Sequence, residues 1–216
     1  MLYDPFPSIE PGTHRLPPLP YAYDALEPII DAQTMRIHHD QLHKQAVDAL
    51  NQTELALVAA RKNGNYSSIK CLEKDLAFFG SGDILHSIYW TIMTYPNMGG
   101  APDVKFLNWI NWSFGGFEAF KAQFSAAAKN VEASGWCILG YNPAFGRLDI
   151  LQCEKHQDLT LWGIIPILVC DVWEHAYFLQ YKSALDTFVD AWWKVVNWKE
   201  VQRRFADALN GRLTLY

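Results

Sequence analysis

Residues 171–181, Asp-Val-Trp-Glu-His-Ala-Tyr-Phe-Leu-Gln-Tyr, sit where one kind of secondary structure gives way to another. The run before them, Ile164-Ile165-Pro166-Ile167-Leu168-Val169-Cys170, is short, apolar and rich in β-branched residues, which reads as a strand. Pro166 has no amide hydrogen to give a ladder, so this strand is expected at a sheet edge or a bulge. Beyond it, helices are expected over 173–181, 188–196 and 198–209. Working backwards, 135–141 and 147–153 are two more apolar runs. They are separated by Asn142-Pro143-Ala144-Phe145-Gly146, a hairpin signal. A further helix is expected over 117–131. This half of the chain reads as a small antiparallel three-stranded sheet wrapped in helices.

The first half reads differently. Six of the eleven prolines fall within residues 1–22, with Pro28 just beyond, and imply an extended arm, since proline removes donors and fixes φ. Asp31-Ala32-Gln33-Thr34 opens a helix expected to reach about residue 62, with Ile37, Leu42, Ala46, Leu50, Leu55 and Leu57 near the helical period. Asn63-Gly64-Asn65 signals a turn. A second helix is expected over 67–79, ended by Gly80-Ser81-Gly82, and a third over 83–94, stopped by Pro96. The segment Asn97-Met98-Gly99-Gly100-Ala101-Pro102 is the best boundary, dividing the chain into 1–98 and 99–216.

The chain has 216 residues, 50% of them hydrophobic, enough to bury a core without disulfide staples. Its formal charge of −5 makes a general phosphate-binding surface, and hence a nucleic-acid partner, a poor expectation. No apolar run reaches membrane-span length, and the N-terminus lacks signal-peptide and transit-peptide patterns, so no membrane partner and a cytoplasmic setting are expected. Cys71, Cys137, Cys153 and Cys170 are scattered, without a CxxC, and are expected to be reduced thiols. Cys137 and Cys153 fall on strands that could be neighbours.

Seven histidines are few enough to weigh singly. Imidazoles with a carboxylate suit first-row metals such as Zn, Mn or Fe rather than Ca or Mg. Asp171-x-x-x-His175 is such a pair, yet a helix N-cap aspartate followed by a surface histidine would have the same spacing. Adding His38 and His86 from separate helices makes a site of three histidines and one aspartate. From spacing alone the bet for a ligand pair falls on His39 with His43, which are four apart and share a helix face, whereas His38 faces elsewhere.

Seven stretches resemble the iron/manganese superoxide dismutase family, in order, over about residues 16–206. They are LPYAYDALEP (19–28), TMRIHH (34–39), LHSIYW (85–90), FKAQF (120–124), SGW (134–136), DVWEHAYFLQY (171–181) and VVNWKEVQRRF (195–205). The resemblance implies an α+β fold: an N-terminal long helical hairpin domain, then an α/β domain with a three-stranded antiparallel sheet flanked by helices. It implies one Fe or Mn ion per subunit, held by His38, His86, Asp171 and His175, leaving His39 and His43 structural or at a dimer interface. The implied substrate is superoxide and the implied assembly a homodimer or homotetramer. Trp90, Trp136 and Trp173 would form an aromatic cage. Glu174 would bond the partner's His175. Gly82 stands where some members place a glutamine, so the donor to the metal-bound solvent would come from His156, or from Gln157 after a one-residue shift.

Four positions depart from the family pattern: Leu42 where histidine is usual, Ala46 where tyrosine is usual, Phe178 where tyrosine is common and Ala184 where arginine is common. Leu42 and Phe178 together would exchange a polar pair across the dimer for an apolar contact, which strands neither partner. The expected activity is dismutation, slowed or made more pH-sensitive because Ala46 and Leu42 stand where the resemblance implies a proton-handling tyrosine and histidine. Two other readings compete: a metal-bearing structural relative with little activity, and a zinc hydrolase using the same donors.

Overall fold

A computed structural model describes residues 9–212. The expectation of an extended arm falls partly on residues 1–8, outside the described residues. Residues 9–22 do run without helix or strand. They lie along the first helix, where the Gly12 amide donates to Glu54 Oε2 at 2.7 Å.

That first helix is continuous through three segments, Ala32–Arg36, Ile37–His43 and Lys44–Asn63. Asp31 caps it, accepting from the Thr34 amide at 2.6 Å, and Gly64 ends it at φ 62°. The middle segment is a π-helix. In that geometry residues five apart share a face, so His38 and His43 both turn inward. The second hairpin helix, Ile69–Thr91, corrects the expectation of two helices broken at Gly80-Ser81-Gly82. Each internal glycine costs about 1 kcal/mol of helix propensity, which tertiary packing overrides. Gly82 is buried, and a Cβ there would stand 3.4 Å from the His156 ring, so the missing side chain admits that ring against the helix.

The connection after Pro96 is stitched to the C-terminal segment. Thr94 and Asn97 amides donate to the carbonyls of Val195 and Lys194 at 2.8 and 2.6 Å, and the Trp198 amide donates to Gly99 at 3.0 Å. A Cβ on Gly99 would lie 1.7 Å from the Val196 carbonyl oxygen, a backbone atom that cannot swing aside. Gly99→Ala is therefore expected to cost about 2–3 kcal/mol, the upper part of the overpacking range. Urea denaturation checks it; an unchanged midpoint would show that the backbone yields freely here.

A helix at Val104–Phe114 was not anticipated. Its signals are present in the sequence: Asp103 caps the Phe106 amide at 2.7 Å, Phe106 and Ile110 are buried four apart, and Gly115 closes it at φ 81°. Phe117–Lys129 follows. Strands β1 (Gly135–Asn142), β2 (Arg147–Glu154) and β3 (Ile165–Asp171) form an antiparallel sheet in the order β2-β1-β3. Pro166 lies on the edge strand, opposite a register shift at Leu139/Gly140, so both readings of that proline hold. Cys153 pairs in register with Trp136, Cys137 pairs with Cys170, and all four cysteines are free thiols.

The helix expected over 173–181 is instead a 3-10 turn, Glu174–Ala176, and one helical turn, Phe178–Tyr181. Trp173 has extended backbone angles there, and its amide is taken by Asp171 Oδ1 at 2.9 Å. Leu185–Trp192 and Trp198–Leu209 are the last helices among the described residues, joined by a 3-10 turn, Trp193–Val195. An aromatic core that includes Phe106, Phe120, Phe124, Trp192 and Phe205 lies in this half. Full burial of each such side chain stabilises the fold by roughly 1.5–3 kcal/mol. The second hairpin helix packs on β3, which brings the end of that strand against the hairpin.

Candidate metal centre

Four side chains from three distant stretches converge at that contact. His38 comes from the π segment, His86 from the second hairpin helix, Asp171 from the end of β3 and His175 from the 3-10 turn. One donor atom from each lies within 4.8 Å of the others. Asp171 Oδ2 stands 3.1 Å from His38 Nε2, 3.2 Å from His175 Nε2 and 3.8 Å from His86 Nε2. The carboxylate is fully buried.

The donor atoms are set up to share a cation. His86 Nδ1 lies 2.7 Å from the Gly82 carbonyl; a carbonyl only accepts, so Nδ1 carries the proton and Nε2 is bare. The Nε2 atoms of His38 and His86 are buried without a hydrogen-bond partner, despite their closeness to the carboxylate. Leaving such atoms unpaired costs about 1–3 kcal/mol each, and a metal ion is the group that would use their lone pairs together. Burial, aided by His175 alongside, pulls the pKa of His38 down to about 4. Burial also drives that of His86 well below its ordinary value, with His38 and His43 adding to the effect. Burial resists the charge on Asp171, but His175 and His38 beside it prevail and hold the carboxyl well below the carboxylate range. Neutral imidazoles and an ionised carboxylate are the forms that bind metal.

Aromatic side chains wall the cluster. Trp90 meets the His38 ring edge-on at 4.8 Å, and Trp136 meets His86 at 5.0 Å. Trp173 stacks on His175 at 5.4 Å and on His156 at 4.7 Å. Trp136 Nε1–H donates to His156 Nδ1 at 3.0 Å, which puts the proton of neutral His156 on Nε2. Burial lowers the pKa of His156 to about 4, so the ring stays neutral through the physiological range. Gln157 places its Oε1 3.4 Å from the His156 amide rather than among the donor atoms. Glu174 is exposed on the turn and is not among the clustered donors.

His39 and His43 are not a ligand pair. His39 Nε2 donates to the Pro17 carbonyl at 2.8 Å, with Nδ1 2.7 Å from Asp40. His43 donates from Nε2 to buried Asp83 at 2.9 Å and accepts from Trp90 Nε1 at 2.9 Å. Asp83 and Phe78, whose ring meets His156 at 4.8 Å, were not anticipated. Asp83 had one available signal, a carboxylate four residues before Ser87 and three before His86 on a largely apolar helix.

The fold and cluster define a metal-binding protein with a helical hairpin and a three-stranded α/β part, its donors drawn from both. The alpha-hairpin domain model of iron/manganese superoxide dismutases matches residues 13–94, and the C-terminal domain model matches residues 102–204. A probable superoxide dismutase [Fe] of Bacillus subtilis is 48% identical over 197 residues, 91% of this chain and 70% of that protein. The superoxide dismutase [Fe] of Pyrobaculum aerophilum is 48% identical over 203 residues, 94% of this chain and 96% of its own length. The superoxide dismutase [Mn/Fe] of Aeropyrum pernix is 44% identical over 204 residues, 94% of this chain and 95% of its own. The chain belongs to the iron/manganese superoxide dismutase family.

Proposed function

We infer that this chain is a superoxide dismutase that works with one Fe or Mn ion per subunit, held by His38, His86, Asp171 and His175. The observation that carries it is the pair of buried, unpartnered Nε2 atoms, on His38 and His86, close to the ionised Asp171. The ion supplies one-electron chemistry: one superoxide is oxidised to O2, a second is reduced, and two protons complete hydrogen peroxide. Three neutral imidazoles and one carboxylate leave a net positive centre for a divalent or trivalent ion, which attracts an anionic substrate. Trp90, Trp136 and Trp173 exclude bulk water. His156, whose Nδ1 accepts from Trp136, keeps its proton on Nε2 and is the residue this reading assigns as donor to the metal-bound solvent. Exposed Glu174 is free to bond His175 of the partner subunit in a homodimer or homotetramer. The division at residues 98/99 separates the part that carries His38 and His86 from the part that carries Asp171 and His175.

The reading as an inactive structural relative is not favoured. Metal content of protein expressed with each metal in excess, with superoxide assays per bound ion, tests the reading. Stoichiometric zinc without redox activity would defeat it. Leu42 and Ala46 are half-buried on the hairpin and Phe178 is exposed. Turnover is therefore expected to depend on water for proton delivery. Ala46→Tyr, which restores a phenol there, is expected to change the pH profile of steady-state turnover; identical profiles would remove this account of Ala46.

A further inference from the structure

The proline-rich arm reaches the back of the metal centre through one residue. His14 is fixed at its main chain by Asn51, whose Oδ1 accepts from the His14 amide at 2.8 Å and whose Nδ2 donates to the His14 carbonyl at 3.0 Å. Its ring lies between two carboxylates. Nε2 bonds Glu54 Oε1 at 3.1 Å, and Nδ1, which makes no hydrogen bond, faces Asp83 Oδ2 at 3.5 Å. The other Asp83 oxygen accepts from His43 Nε2 at 2.9 Å and from Ser87 Oγ at 3.4 Å. His43 then accepts the Trp90 indole N–H at 2.9 Å and stacks on His86, with ring centroids 5.0 Å apart. Glu54, His14, Asp83, His43 and Trp90 thus form one chain of contacts from the surface to the wall of the cluster.

The inner part of this chain, from Trp90 to Asp83, has a fixed direction. Trp90 can only donate, so His43 Nδ1 is an acceptor and its proton sits on Nε2, where Asp83 takes it. The same argument excludes a second metal on His43, because neither ring nitrogen has a lone pair to spare. Asp83 is 1% exposed, so the groups packed against its carboxylate decide which way it points. The His14 ring is packed against the second oxygen, at 3.5 Å and without a hydrogen bond to it.

We propose that His14 is a positioning residue: the arm, through His14 and Asp83, sets the ring of His43 and thereby the placement of Trp90 and His86. Proline at 11, 17 and 18 keeps the arm extended on either side of His14. The inference deepens the metal-centre reading and rests on it for its effect on the ion, but its first consequence is visible in the full-length chain without metal.

The test compares the full-length chain with His14→Ala, His14→Gln, Asp83→Asn and the His14→Ala/Asp83→Asn double variant. In the metal-free chain, hydrogen exchange of the Trp90 indole N–H is followed by NMR, the resonance being assigned by its loss in Trp90→Phe. His14→Ala is expected to speed that exchange roughly tenfold, the low end of what a residue supporting a metal ligand from outside contributes. His14→Gln, which keeps a polar side chain of similar reach packed against Asp83, should recover part of the protection. The double variant should exchange no faster than Asp83→Asn alone, because His14 acts through Asp83. In iron-loaded protein the same ranking is expected for iron loss to a chelator, with an altered ferric EPR rhombicity in His14→Ala. A lowered unfolding midpoint with unchanged indole exchange in His14→Ala would overturn the proposal, as would additive effects in the double variant. Failure of the unaltered chain to take up iron would instead strike the ligand assignment, while the indole exchange still judges His14.

Discussion

Asp171→Asn is expected to abolish stoichiometric metal binding and lower dismutase activity by more than about a hundredfold, beyond the loss from removing a group that only supports a ligand. Asp171 is the only anion among the four donors. Asparagine is nearly the same size but neutral, so an ion in this buried site would have only neutral ligands to offset its desolvation. The fold should survive: an amide oxygen can still accept the Trp173 N–H that now goes to Asp171 Oδ1. Elemental analysis per chain and a superoxide assay on the same sample check this. A variant that kept both its ion and its turnover would displace Asp171 from the coordination set.

The elements that could be read from sequence are those whose local signals agree with their packing. The three strands were legible because each is a short apolar run bounded by turn residues, and Pro166 announced an edge. The first helix was legible from Asp31 at one end and Gly64 at the other. Reading failed where tertiary contact overruled local preference. Gly80-Ser81-Gly82 looks like a stop, but the helix runs on because Gly82 admits His156 and supplies the carbonyl that orients His86. Residues 173–181 look helical by period, but the Asp171 side chain captures the Trp173 amide and the backbone there stays extended.

The site was only partly legible for a similar reason. A periodicity of 3.6 pairs His39 with His43, whereas the π segment turns His38 and His43 inward and sends His39 to the Pro17 carbonyl. No pattern in the residues alone announces that extra backbone residue. The resemblance to a known family supplied the choice of His38, and the convergence of four donor atoms is consistent with it. The role of the arm was not legible, because the partners of His14 are 37 to 69 positions away in sequence and meet it only once the hairpin closes.

Stripped of metal, the protein is expected to lose stability steeply between about pH 6.5 and pH 4. The sign follows from proton uptake. In the unfolded chain His38 titrates near 6.5, whereas burial and the neighbouring His175 hold it near 4 in the fold. Between those values the unfolded chain binds the proton and the folded chain does not, so unfolding is favoured increasingly as pH falls. For His38 alone the shift amounts to about 3 kcal/mol at full effect. His156 is pulled down to about 4 by burial, and burial also holds His86 well below its ordinary value, so both add in the same direction. The rings interact, so their contributions are not additive. Asp171 has the opposite charge but the same sign of effect. Its carboxyl is depressed in the fold, so the stability it contributes is present above its unfolded value near 4 and is lost as pH falls below that. Bound metal occupies the atoms that protons would take, and should move the transition to lower pH. Urea denaturation of the chelator-treated and the metal-loaded protein at pH 7, 6 and 5 measures both effects. A stability of the metal-free chain that does not change across that range would mean that these imidazoles are not neutral and enclosed, and the geometry proposed for the metal would go with them.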